Sequence, residues 1–209
     1  MRTISKGTEP SSLTAWKRAN PHGRYNQLTE DIRRTIREDA LAEQFYLCAY
    51  CCQGIQDIEA CHNEHIEARK LNPRRTLDFS NIVASCNTSN QCGDAHKSQP
   101  LPLTPLMTEC ETELRFKISG RVEGLSERAI VTIQVLNLGD HEKNNRALIE
   151  KRKQLSNALL WTNSIDPDEG LEDEELLEML IGDLSQPQQG QMEPFTPVVI
   201  NILRSWLQS

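Results

Sequence analysis

Apolar positions along the chain fall into blocks of different period. From residue 25 to residue 46, Leu28, Ile32, Ile36 and Ala40 recur every four residues with Arg33, Arg34 and Arg37 to the side, which predicts a helix with one buried stripe. Residues 1–23 have no such period and are punctuated by Pro10, Pro21 and Gly23, so irregular chain is expected there. Trp16 is expected to pack onto the body of the domain, the alternative being contact with nucleic acid beside Lys17 and Arg18. Between residues 48 and 97 the pattern predicts a knuckle, a β-hairpin and a helix, with Ile55 and Ile58 near the first strand and His62 to Ile66 near the second. Pro100, Pro102 and Pro105 mark an extended connector. Leu114, Phe116 and Ile118 then alternate, and Ile130, Ile133 and Val135 follow, predicting one or two short strands. Residues 141–161 read as a helix through Leu148, Arg152, Leu155 and Leu159. Residues 171–184 read as a short amphipathic helix whose stripe is Leu176, Leu177, Leu180, Ile181 and Leu184. The run SQPQQGQMEP reads as a flexible linker, and Val198 to Leu207 as a second amphipathic segment.

Charge divides the chain. Its net charge is −7, yet residues 162–193 hold ten acids and no base, while residues 1–161 hold 22 Lys and Arg against 20 Asp and Glu. A domain over 1–161, with a motif core at 48–97, and an acidic, helical extension over 162–209 are therefore expected. The extension either packs on the body or docks a partner, and its uniform acidity argues against lining a phosphate-binding surface. With 209 residues, 37% hydrophobic and 25% charged, the chain is long enough for one core with an appendage. No apolar run approaches the roughly 20 residues of a membrane span, and the N-terminus has no hydrophobic stretch of the secretory kind. Seven cysteines, an odd number clustered at metal-like spacing, point to a reducing, cytoplasmic setting rather than a disulfide framework.

The chemistry is concentrated between Cys48 and Lys97. Cys48-x2-Cys51 and Cys86-x5-Cys92 form two couples, and four thiolates at tetrahedral geometry suit a structural Zn²⁺. The second spacer is longer than usual, and buried free cysteines are the competing reading; Cys52, Cys61 and Cys110 are assigned to packing. Between and beyond the couples stand Glu64-His65, Asn81 and His96, an order that reads as an HNH, or ββα-metal, nuclease site. A histidine titrates near neutrality and can take a proton from water, which fits His65. A divalent Mg²⁺ or Mn²⁺ wants hard oxygen and imidazole ligands, which fits Glu64 and His96, with His62 as a further candidate and Asp94 as a competitor. His62, beside Cys61, reads equally as a scaffold histidine. Adjacent Glu64 and His65 fall on opposite faces of a strand. Arg69, Lys70, Arg74 and Arg75, with Lys97 beyond, are the candidates for phosphate contact. The HNH pattern is not followed throughout, since Gly93, Asp94 and Ala95 separate His96 from the last cysteine.

The runs EQFYLCAYC, HNEHI, DFSNIVASC and CGDAHK, with the opening MRTISKGTEPSSL and the segments FKISG and VLNLG, resemble the PtuB-type HNH endonucleases over roughly residues 1–155. These are the nuclease subunits of Septu anti-phage systems, found also beside some retrons. The resemblance implies an α+β fold: a zinc-stapled ββα-metal core wrapped by helices, here with a helical C-terminal extension. It implies hydrolysis of phosphodiester bonds, an Asn81 that orients the catalytic loop by hydrogen bonding, and a PtuA-like ABC/SMC-type ATPase as partner. Arg146, after the VLNLG segment, would approach phosphate or form a structural ion pair. DNA is the favoured substrate, with RNA or tRNA cleavage in a retron setting as the alternative. A zinc-ribbon adaptor that cuts nothing is the competing class; it accounts for the cysteines but not for Glu64, His65 and His96.

Overall fold

The computed structural model describes residues 1–141 and 143–208. It is a mixed α+β fold in which helices surround two small antiparallel sheets. The N-terminal segment, expected to be irregular, contains helix α1 (Ser11–Ala19). It is short, and of its residues only Leu13 is buried, so it has no apolar period to detect. Trp16 packs against the main core, as expected. The helix expected over 25–46 is divided. Tyr25–Gln27 is a 3-10 turn, Leu28 and Thr29 are extended, and α2 runs Glu30–Glu43. The Thr29 hydroxyl accepts from the Ile32 amide and Glu30 and Asp31 fill the first turn, a start favoured by the helix dipole.

The central hairpin joins β1 (Cys61–His65) to β2 (Ile82–Cys86), in register from Cys61 opposite Cys86 to His65 opposite Ile82. The order of strands expected from the sequence is corrected here. The strand containing His62 is the first, the second follows Asn81, and Ile58 lies in a 3-10 turn. β2 is buried throughout, so it reads as an apolar run without the alternation that marks a half-exposed strand. Its backbone edge meets Gln44, whose side-chain amide accepts from the Ala84 amide at 2.8 Å and donates to the Ala84 carbonyl at 2.9 Å. A short helix, α3 (Cys92–His96), follows.

The second hairpin pairs β3 (Leu114–Phe116) with β4 (Val122–Gly124). Ile130, Ile133 and Val135, expected on a strand, belong to helix α4 (Glu127–Leu136), which Ser126 caps by accepting from the Ala129 amide. β-branched residues dominate that stretch, but the cap and tertiary burial outweigh their strand preference. Then come α5 (Arg146–Thr162), α6 (Glu174–Leu184) and α7 (Thr196–Trp206).

The boundary drawn at residue 161 does not separate two packed bodies. Phe195, Val198 and Ile202, at the start of and within α7, belong to the same buried cluster as Leu13, Tyr50 and Phe79. The side chain of Asn201 donates to the Glu111 and Leu114 carbonyls and accepts from the Phe116 amide. The expected flexible linker is tied to the knuckle: the Met192 amide donates to the Phe45 carbonyl, and the Phe195 amide to the Cys52 carbonyl. A second cluster, with Leu160, Leu177, Leu180, Val199 and Leu203, joins α5, α6 and α7. No helix among the described residues is long and apolar enough to cross a membrane.

Candidate metal centre and adjoining histidine site

The four paired cysteines come together. Their Sγ atoms all lie within 4.8 Å of one another and all four residues are buried. Cys48 and Cys51 sit in a tight turn closed by the Cys48 amide on the Gln53 carbonyl and the Cys52 amide on the Cys48 carbonyl. Cys86 ends β2 and Cys92 begins α3. The long spacer between them is taken up by left-handed backbone at Asn90 (φ 54°) and Cys92 (φ 53°), one a residue type that tolerates it. Donors surround the sulfurs: the Cys86 amide points to Cys48 Sγ at 3.4 Å, and Gln91 Nε2 to Cys51 and Cys86 Sγ at 3.6 Å each. Hydrogen bonds from Cys48, Cys51 and Cys92 pull the Cys86 thiol far down, while burial pushes Cys51 and Cys92 up. A buried set of four sulfurs with outer N–H donors fits a structural zinc ion, which takes thiolates and is held in place by such outer donors.

The outer donors lead to a buried cation. Gln91 is oriented by Asn145, whose Nδ2 donates to Gln91 Oε1 at 2.9 Å and whose Oδ1 caps α5. Two turns along α5, Arg152 is fully buried, donating to the Gly120 carbonyl at 2.6 Å and the Leu138 carbonyl at 2.9 Å. No carboxylate pairs with it among the described residues. Burial pulls its guanidinium down to about 10, and the thiols of Cys51, Cys52 and Cys92 oppose that shift.

Across β1 from this, Glu64 meets two imidazoles. Its Oε1 lies 2.6 Å from His96 Nδ1 and its Oε2 3.4 Å from His62 Nε2. The far nitrogen of each ring is committed. His96 Nε2 lies 2.7 Å from the Gln99 carbonyl, and His62 Nδ1 lies 2.8 Å from Asn87 Oδ1. Asn87 Nδ2 in turn donates to the Glu59 carbonyl, which fixes the orientation of that amide. Carbonyls only accept, so the far nitrogens carry the hydrogens. Protonated, each ring donates its near N–H to Glu64; with the rings neutral, two nitrogen lone pairs would face the carboxylate. Acceptors crowd in this way around shared protons or around a cation, and carbonyl-anchored histidines with a carboxylate are the donor set of a divalent ion. Burial opposes charge on Glu64, but the bonds with His62 and His96 outweigh it and hold the carboxyl below its usual range. For His62, burial is likewise outweighed by Glu64, and the ring is raised. The space is kept open by Gly93, where a Cβ would sit 2.5 Å from His62 Nε2 and 2.9 Å from Glu64 Oε2. Among the described residues the cysteine quartet is the one set of three or more ligand atoms within 4.8 Å; here the atoms are joined pairwise through Glu64. Asp94, the competing candidate, accepts from the Asn90 amide through Oδ2 at 2.6 Å.

His65 faces the other way, as strand alternation requires. It is buried, its ring meets Tyr25 edge-on at 4.7 Å, and Nε2 lies 2.9 Å from the Thr76 carbonyl. By the same logic Nε2 carries the hydrogen and Nδ1 keeps its lone pair. Burial lowers the affinity of His65 for a second proton, helped by the nearby Arg69 charge, with the Thr76 bond opposing. The ring is thus a neutral base at neutrality. Asn81 spans the loop that leaves His65: its Oδ1 accepts from the Glu67 amide at 2.8 Å, its Nδ2 donates to the Glu67 and Arg75 carbonyls, and its own carbonyl accepts from the Ile66 amide.

The basic residues divide. Arg75 is engaged with Glu67, Asp78 and Ser80, and Arg34 and Arg37 with Glu30, Glu38 and Glu59. Arg69, Lys70, Arg74 and Lys97 are exposed, as is Arg146 at the start of α5. Gln91, Asn145, Arg152, Tyr25, Thr76, Asn87 and Gln99 belong to these sites without having been singled out in the sequence. Thr76 and Gln99 act through carbonyls, which every residue has. Gln91 carried a signal in lying beside Cys92. Comparison of the chain with protein-family models and with curated proteins gives no match to either.

Proposed function

We propose that the protein is a metal-dependent nuclease of the HNH type, with His65 as general base. The observation that carries this reading is the adjacency on β1 of a carbonyl-anchored imidazole and a carboxylate held between two more. One face presents an imidazole whose Nε2–H is anchored on the Thr76 carbonyl, leaving a basic Nδ1. The other presents Glu64 between His62 and His96. The resemblance of residues 1–155 to PtuB-type endonucleases supports the same reading. In it, His65 Nδ1 takes the proton of the attacking water, and the Thr76 carbonyl steadies the imidazolium that results. Asn81 fixes the loop from Ile66 to Arg75 so that the ring keeps its orientation. Glu64, His96 and His62 would hold Mg²⁺ or Mn²⁺, which when bound offsets charge on the phosphate and the leaving oxygen. The cysteine quartet would hold zinc, which when bound would tie the end of β2 to the start of α3, the helix that carries His96. DNA is the favoured substrate. The resembled family supplies the partner, an ABC/SMC-type ATPase, and the outer face of α6 offers it Leu176 and Met179, exposed at 41% and 58% among acidic neighbours.

The test is Mn²⁺ binding followed by electron paramagnetic resonance on the zinc-loaded chain. One Mn²⁺ per chain is expected, lost in Glu64→Ala with zinc content unchanged, and plasmid cleavage is expected to follow Mn²⁺ occupancy. A chain that binds zinc alone and leaves DNA intact would be an adaptor, and the nuclease reading would fall.

A further inference from the structure

A groove of about 1060 Å³ opens beside His65. Tyr25 and Thr76, which contact the His65 ring, both line it. One wall comes from the end of α1 and the chain after it, with Lys17, His22 and Arg24; the other comes from the loop between β1 and β2, with Arg69 and Arg74. Two of its charged residues are already engaged. Lys17 is paired with Glu9 at 2.6 Å, and Asp78 with Arg75 at 2.9 Å. Arg24, Arg69 and Arg74 are exposed and form no ion pair among the described residues. Three guanidinium groups without counter-charge therefore converge on one groove of a chain whose net charge is −7. Guanidinium is the group that suits phosphate oxygens.

The groove carries two aromatic rings, the exposed imidazole of His22 and the phenol of Tyr25. Tyr25 already lies under the guanidinium groups of Arg33 and Arg69, 5.6 and 5.3 Å from its centroid, and its hydroxyl accepts from Asn63 at 2.9 Å, so no row of open rings is left for successive bases. Single-strand binders that hold bases need open aromatic faces. Phosphate contacts alone position a strand without reading it.

We infer that this groove is a nucleic-acid backbone channel, in which Arg24, Arg69 and Arg74 hold phosphates and the base sequence is not read. The choice of polyanion rests on the nuclease reading. The segment after α1 thereby becomes part of the substrate site, a role that nothing in its sequence pattern announces.

The test is fluorescence anisotropy of the full-length His65→Ala chain with two duplex DNAs of unrelated sequence, across a salt series. Binding to both is expected to be equal, with log K falling against log salt at a slope of about −0.9 for each phosphate neutralised, hence about −3. Arg24→Ala, Arg69→Ala and Arg74→Ala should each weaken binding to both duplexes alike and reduce the slope by about 1. Arg34→Ala, remote from the groove and already ion-paired, should change neither. All four side chains are exposed, so a circular-dichroism melt on each variant establishes that it is folded. Wild-type affinity and slope in the three groove variants would overturn the inference, as would a loss confined to one sequence. Plasmid cleavage by the wild-type chain separates the two claims. Cleavage with unaltered binding in the groove variants removes the channel alone, whereas neither binding nor cleavage removes the nuclease reading with it.

Discussion

Arg152 is the largest fully buried side chain, and it shows what a single residue can conceal. In the sequence it occupies a turn of the helix stripe with Leu148, Leu155 and Leu159. In the fold the buried positions of α5 are Leu148, Ile149, Arg152, Ser156 and Leu160, so the period was legible and the phase partly wrong. Its partners are two carbonyls, the Phe116 ring at 5.1 Å and, at longer range, thiols, none of which announces an arginine. Substituting Arg152→Met keeps the bulk but leaves the Gly120 and Leu138 carbonyls buried without a donor, at about 1–3 kcal/mol each. The urea midpoint should fall markedly; an unchanged midpoint would mean that the guanidinium contributes nothing to the fold. The cysteines and Glu64, His65, Asn81 and His96 were legible because residue type itself carries their chemistry. His62, left open between ligand and scaffold, is settled as a neighbour of Glu64 by a contact at 3.4 Å. Asp94, equivalent in the sequence, is bonded through Oδ2 to the Asn90 amide.

At the scale of elements, caps and burial decided what periodicity could not. α4 was read as strand because its isoleucines and valines favour strands, yet Ser126 starts a helix there. The junction is reinforced by Glu113, just before β3, which accepts from Ser126 and from Arg128 Nε at 2.9 Å. Hydrogen bonds from Arg128 and Ser126 hold the Glu113 carboxyl down at about 2, against an ordinary 4.5. A carboxyl depressed on folding stabilises the fold above its unfolded pKa, and the contribution disappears as pH falls through the folded value. Wild-type stability should therefore decline between about pH 4.5 and about pH 2, and Glu113→Gln should remove that part of the decline. Melting temperature measured against pH for both chains tests it, and parallel acid limbs would contradict it. The β1–β2 hairpin was legible in existence but not in strand order. Gln44 on the edge of β2, far away in sequence, is the kind of contact that local pattern does not contain.

For the whole molecule, acidity marks residues 162–209 as an extension, and of its two possible placements, on the body or on a partner, α7 takes the first by packing into the main core. Phe195, Val198 and Ile202 complete the main core, and deleting a single large core side chain typically costs about 2–5 kcal/mol. Removing several at once exceeds or consumes a net stability of about 5–15 kcal/mol. Truncation after residue 161 should therefore yield insoluble or molten protein, read by near-ultraviolet circular dichroism, whereas a folded, cooperative fragment would restore the two-body view. The acidic charge of residues 162–193 argues against a phosphate site there. It is carried largely by α6 and the loop before it, while the unpaired arginines line the groove beside His65.

The proposed metal-dependent hydrolysis rests on His65, whose ring is anchored on the Thr76 carbonyl. It is tested most directly by plasmid cleavage with added Mn²⁺ by wild-type and His65→Ala chains, with zinc content and melting temperature measured on the same samples. The account predicts equal zinc, a folded variant, and a rate lower by about 10²–10⁴-fold, the usual cost of losing a general base. A folded, zinc-loaded His65→Ala chain that cuts at the wild-type rate would contradict it.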